Sequence, residues 1–114
     1  MANIKCVYKM PGGPAHIGEI PNRLKDYQFF VDGYVQAVPL SCGAVLICNE
    51  EGKRIGMERN FYLKDRNTGK IWDYVSGPVV IVNTDEEGEF TDIDDEAAEQ
   101  ICNVLNFQPA LEVG

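Results

Sequence analysis

From Asn3 to Met10, Ile4, Cys6 and Tyr8 alternate with Asn3, Lys5 and Val7, the period-two pattern of a strand. Pro11-Gly12-Gly13-Pro14 is a turn by composition, and Ala15 to Ile20 returns as a second strand. Prolines at 14 and 21 confine its pairing, so it is expected at a sheet edge. The period then changes. Leu24, Tyr27, Phe30 and Val31 fall on one helical face, which predicts a helix over about 22–32. Asn22 is its expected N-cap and Gly33 its left-handed C-cap. Tyr34 to Leu40 alternates again, closed by Pro39, and Gly43 to Asn49 reads as a buried strand. The turn Asn49-Glu50-Glu51-Gly52 ends that strand, with Gly52 expected to supply a positive φ.

After Lys53 the pattern weakens into short pieces, up to a turn at Arg66-Asn67-Thr68-Gly69, across which Lys70 to Tyr74 is expected to pair back. Ser76-Gly77-Pro78 breaks the chain before Val79 to Val82, the most strand-like run. Ile93, Ala97, Ile101 and Leu105 mark one face of a C-terminal helix over about 92–107. Thr91 or Asp92 is its expected cap, with Asp94 or Asp95 as the reciprocal acid of a capping box. There are no internal repeats and no low-complexity linker. The order predicts an α+β fold, a single domain over residues 1–114, mainly antiparallel sheet with two helices. Its first half has the order of a β-grasp-like unit.

Composition adds bounds. Hydrophobic content of 45% and charged content of 25% suit an ordinary globular protein. The longest apolar runs, Ala44 to Cys48 and Val79 to Val82, are too short to span a bilayer, and the N-terminus lacks the plan of a signal peptide. The expectation is a cytoplasmic protein without a membrane partner. Four cysteines, at 6, 42, 48 and 102, show no CxxC spacing and lie in apolar stretches, so they read as reduced packing residues.

Charge changes the picture most. Six of the ten basic residues (Lys53, Arg54, Arg59, Lys64, Arg66 and Lys70) fall in one 18-residue stretch of a chain whose net charge is -8. Phe61 and Tyr62 lie among them, and Trp72 and Tyr74 follow. Guanidinium forks match phosphate or carboxylate, and aromatic rings stack on bases. The candidate ligand site is therefore Arg54, Arg59, Tyr62, Arg66, Lys70 and Trp72, for a small anionic molecule such as a nucleotide or for an acidic patch on a partner protein. A strand–turn surface with its aromatics buried beneath would carry the same residues without binding anything. The negative net charge disfavours duplex nucleic acid.

Other constellations fall short. Asn83, Asp85, Glu87, Gly88, Thr91 and Asp94 take six places of an EF-hand loop, but Asn stands first, Asp stands last, and a strand precedes them. No metal is expected. Cys42 and the sole histidine, His16, could form a nucleophile pair, but no third orienting group is indicated. Neither a Walker loop nor GxGxxG follows a strand, so no cofactor and no enzymatic activity are expected, with a small Cys-dependent enzyme as the residual reading.

The segment Gly33-Tyr34-Val35-Gln36-Ala37-Val38-Pro39-Leu40 resembles one family, as do Ile47-Cys48-Asn49-Glu50-Glu51-Gly52-Lys53, Glu58-Arg59-Asn60 and Ser76-Gly77-Pro78-Val79-Val80-Ile81-Val82. They are similar to the domain of unknown function 3846 family, small proteins of phages, plasmids and other bacterial mobile elements. The similarity spans roughly residues 3–106, and the string from Cys48 to Lys53 is its most specific part. The resemblance implies an accessory gene acting on host systems, and it supplies no catalytic residues. The functional expectation is a non-enzymatic accessory protein in a bacterial host cell that binds a host protein or a small anionic ligand such as a signalling nucleotide, with a possible counter-defence role. The alternative is an acidic mimic of nucleic acid, built on Asp85 to Glu96 and the C-terminal helix, that inhibits a host DNA-binding enzyme.

Overall fold

The computed structural model describes residues 3–113. Nine strands and two helices follow in the order β1 (Asn3–Lys9), β2 (Ala15–Pro21), α1 (Leu24–Val31), β3 (Val35–Pro39), β4 (Val45–Asn49), β5 (Arg59–Asp65), β6 (Ile71–Ser76), β7 (Val79–Thr84), β8 (Phe90–Thr91), α2 (Asp95–Phe107) and β9 (Ala110–Val113). The class is α+β, mainly antiparallel. The main sheet has the order β2-β1-β7-β4-β3, with β8 paired to β7, and the second sheet has the order β6-β5-β9. β2 lies at an edge, as its prolines require. The first half does not form a separate β-grasp-like unit. β7, from the second half, stands between β1 and β4, and every pair in the main sheet is antiparallel.

Two cores flank the main sheet. Val79 and Ile81 of β7 and Leu46 and Cys48 of β4 face a core shared with Phe61, Leu63, Val75 and Leu111 of the second sheet and Ala98, Ile101 and Leu105 of α2. Val80, Val82 and Ile47 face the opposite core, which Tyr27 and Val31 of α1 cover. The uninterrupted apolar runs of β4 and β7 follow from this placement, since a strand buried on both faces needs no polar alternation.

Helix ends depart from the sequence reading. α1 begins at Leu24 with Arg23 at the cap position and no side-chain cap. Asn22 is engaged elsewhere, accepting from the Tyr27 hydroxyl at 2.7 Å and donating to the Phe90 carbonyl at 2.9 Å. The left-handed residue closing α1 is Asp32 (φ 61), not Gly33. Gly33 is needed because the Asn49 amide nitrogen would lie 2.6 Å from a Cβ there. α2 is capped by Asp94, which accepts from Ala97 N–H at 3.4 Å, while Asp92 accepts from the backbone N–H of Lys5 at 2.7 Å. The acids Asp95 and Glu96 sit in the first turn, where the helix dipole favours them.

Candidate functional site

The residue that organises the basic stretch is Asn60. β5 and β6 pair Arg59 with Ser76 and Phe61 with Val75, leaving Asn60 as the extra residue of a bulge. Its side chain is buried between the sheets. The amide nitrogen donates to the carbonyls of Lys9 (2.9 Å) and Gly77 (2.7 Å), and the amide oxygen accepts from Lys9 Nζ at 2.7 Å. In an uninterrupted strand, residues three apart point to opposite faces. The bulge brings Arg59 and Tyr62 to the same one: Arg59 Nη1 donates to the Tyr62 hydroxyl at 2.6 Å.

That face is the solvent side of the second sheet, opposite Phe61 and Leu63. Tyr62 lies across from Tyr74 in register. The Arg59 guanidinium sits 4.7 Å from the Tyr74 ring centre and 5.2 Å from that of Tyr62, and Lys53 Nζ lies 4.9 Å over Tyr74. Arg59 is exposed and joins no ion pair among the described residues. Lys53 and Arg54 are paired, to Asp73 at 2.5 Å and to Glu51 at 2.7 Å.

Beside this face opens a cleft of about 780 Å³ between β3 and β6, floored by Cys48, Leu63 and Val75, with Lys53, Arg54 and Trp72 at its walls. The turn that carries Lys53 and Arg54 is held close to β6. A Cβ on Gly52 would stand 2.7 Å from the Ser76 carbonyl oxygen. Close approach, and not the positive φ expected from sequence, is what glycine provides there; Gly52 is absent from the positive-φ glycines. The neighbouring Asn49 donates to the Val31 and Asp32 carbonyls, both at 3.0 Å, and accepts from Glu51 N–H at 2.7 Å. The string from Cys48 to Lys53 thus joins the end of α1 to the cleft.

The six candidate residues do not form one cluster. Arg59 and Tyr62 share the tyrosine face, and Arg54 and Trp72 line the cleft. Arg66 and Lys70 lie at the far end of the β5–β6 hairpin, roughly 20 Å along the strand from Arg59 at about 3.3 Å per residue. Trp72 is the extra residue of a second bulge, between the pairs Leu63–Asp73 and Lys64–Ile71, and is 59% exposed. Tyr74, Lys53 and Asp73 complete the site. Alternation within Lys70 to Tyr74 could have placed Tyr74 opposite Tyr62, but neither bulge leaves a local sequence signal.

Other constellations are taken apart by the fold. Cys42, in the turn between β3 and β4, and His16 on β2 lie at opposite edges of the main sheet, about 19 Å apart by strand spacing. The six EF-hand positions are spread over β7, a hairpin turn, β8 and the cap of α2. Asp85 instead accepts from the backbone N–H groups of Glu87 (2.9 Å) and Glu89 (3.0 Å), holding the β7–β8 turn. Burial pushes the Cys6 and Cys48 thiols up to about 11, as expected of packing residues. No helix among the described residues is long and apolar enough to cross a membrane.

What these features define is a small α+β protein whose second sheet turns a basic and aromatic face to solvent beside a cleft. The chain belongs to the family described as Domain of unknown function (DUF3846), which matches residues 4–106. No curated protein and no solved structure matches it.

Proposed function

We propose that the protein is a non-enzymatic binding protein whose tyrosine face and adjoining cleft take a small anionic ligand bearing a planar ring, a nucleotide being the type. The observation that carries this reading is Arg59. Its guanidinium is exposed, has no carboxylate partner among the described residues, and is oriented by Tyr62 and Tyr74. A guanidinium held in place and free of an acid retains donors for a phosphate, and Trp72 offers a ring face for a base. The cleft's volume suits a molecule of that size. In the mobile-element setting implied by the family resemblance, a host signalling nucleotide is the natural candidate and counter-defence the natural role.

The acidic-mimic reading draws less support. Asp85, Asp92 and Asp94 accept from backbone N–H groups of the protein itself, and Asp95 pairs with Lys5, so these carboxylates serve the fold.

Isothermal titration against a panel of linear and cyclic nucleotides tests the proposal. Binding is expected for at least one, weakened about tenfold or more by Arg59→Ala, the worth of one charge-assisted hydrogen bond. The absence of both binding heat and a thermal shift with every nucleotide of the panel at millimolar concentration would refute it.

A further inference from the structure

One oxygen of Asp73 accepts two hydrogen bonds, from Lys53 Nζ at 2.5 Å and from the backbone N–H of Tyr74 at 2.8 Å. The strand geometry explains the second. Tyr62 N–H turns toward β9, donating to the Pro109 carbonyl at 2.9 Å, so Phe61 and Leu63 direct their backbone groups to β6. Their partners Val75 and Asp73 point back, and the N–H of Tyr74 points out of the sheet's free edge. At such an edge an N–H ordinarily meets water or the carbonyl of another strand. Here the carboxylate of the preceding residue covers it.

We propose that Lys53 Nζ and Tyr74 N–H form the anion-receiving position of the cleft, and that Asp73 is its internal occupant, displaced by a phosphate oxygen of the ligand. The inference rests on the nucleotide-binding reading above and specifies how that site is kept closed. Three observations converge on it. The ammonium and the amide meet at a single oxygen, the arrangement a ligand oxygen would need. Both side chains of the ion pair keep solvent access, 47% for Lys53 and 29% for Asp73, so exchange of the anion requires no opening of the core. The cleft's two cations, Lys53 and Arg54, face three carboxylates, Glu50, Glu51 and Asp73, so the lining carries an excess negative charge that only the departure of Asp73 brings to balance. The Lys53 hydrogen bond, aided by Tyr74 N–H, also holds the Asp73 carboxyl below its ordinary range, so it is ionised at neutral pH and competes as an anion.

Asp73→Asn keeps the shape and an oxygen acceptor for Tyr74 N–H while removing the competing charge. Titration of adenosine monophosphate, with adenosine as the uncharged control, is measured on wild type, Asp73→Asn, Lys53→Met and the double variant, each checked for an unchanged urea midpoint. Asp73→Asn is expected to bind the monophosphate about three- to fivefold tighter, the scale of an exposed ion pair. Lys53→Met is expected to weaken it by a similar factor, the double variant to lose the gain, and adenosine to show no gain. Wild-type binding that Asp73→Asn leaves unchanged or weakens, or an equal gain with adenosine, overturns this inference and leaves the nucleotide-binding reading standing. Absence of monophosphate binding to wild type and Asp73→Asn alike overturns this inference, and the nucleotide-binding reading falls with it only if the whole nucleotide panel is also silent.

Discussion

Asn60→Ala tests the bulge that places Arg59. Lys9 is 5% exposed and Asn60 7%, and no carboxylate among the described residues pairs with the ammonium; its partners are the Asn60 amide oxygen at 2.7 Å and carbonyl at 3.4 Å. Alanine removes the shorter contact and strips donors from the Lys9 and Gly77 carbonyls. Each unsatisfied carbonyl costs about 1–3 kcal/mol and a buried charge deprived of its partner about 3–5 kcal/mol. The losses overlap, because one relaxation or one water can relieve several of them. The expected cost is about 4 kcal/mol, a large share of the roughly 5–15 kcal/mol that holds a protein of this kind together. Lys9→Met gives the contrast. It takes the donor from the Asn60 amide oxygen and the longer contact from the Asn60 carbonyl but removes the buried charge, and should cost about 1 kcal/mol or less. The double variant should then be more stable than Asn60→Ala alone. Urea unfolding with an unchanged m-value measures all three. A cost below about 1 kcal/mol for Asn60→Ala, or a double variant no better than that single one, would show the reasoning to be wrong. A pH arm adds a second check. Burial lowers the Lys9 ammonium below its ordinary 10.5, so the unfolded chain holds that proton more firmly. Wild-type stability should therefore gain a rising component as pH climbs toward 10.5, complete above it, which Lys9→Met lacks.

Further outcomes follow from single contacts. Gly52→Ala should lower stability by about 1–3 kcal/mol, seen as a fall in Tm of at least about 4 °C, because the Ser76 carbonyl that meets the new Cβ is backbone and cannot rotate away. An unchanged Tm would show that the turn carries no such constraint. A thiol reagent on the native protein should label exposed Cys42 quickly and spare Cys6 and Cys48, whose burial keeps them protonated; rapid loss of the two buried thiols would contradict that packing. Asp94→Ala should cost about 0.5–1 kcal/mol by circular dichroism melting, and Asp92→Ala should also destabilise by freeing the Lys5 amide, although neither carboxylate touches the cleft.

Much of the architecture was legible in the sequence. Alternation located β1, β2 and β3, the continuous apolar runs located β4 and β7, and helical spacing located α1 and α2 to within three residues at each end. What escaped was set by partners distant in sequence. β9 is four residues long and pairs in parallel with β5, and nothing local distinguishes Ala110–Val113 from a tail. Asn22 reads as a cap, but its side chain is taken by Tyr27 and Phe90, 68 residues away in the latter case. The candidate site was legible only as a composition. Aromatic and basic residues were visible together, but which of them share a face depends on the bulge at Asn60, and the ion pairs that occupy Lys53 and Arg54 depend on how the 50–56 turn packs.

The position of β7 also fixes when the protein can fold during its synthesis. The two hairpins β1–β2 and β3–β4 leave the ribosome first, and each alone is marginal in water. Helix α1 packs on both, but no strand pairs with both until residues 79–84 emerge and slot between them, bringing apolar side chains for both cores at once. A nascent chain cut before Val79 therefore exposes two unpaired apolar edges, and closure awaits a late, long-range event of the kind that places folding in the millisecond-to-second range.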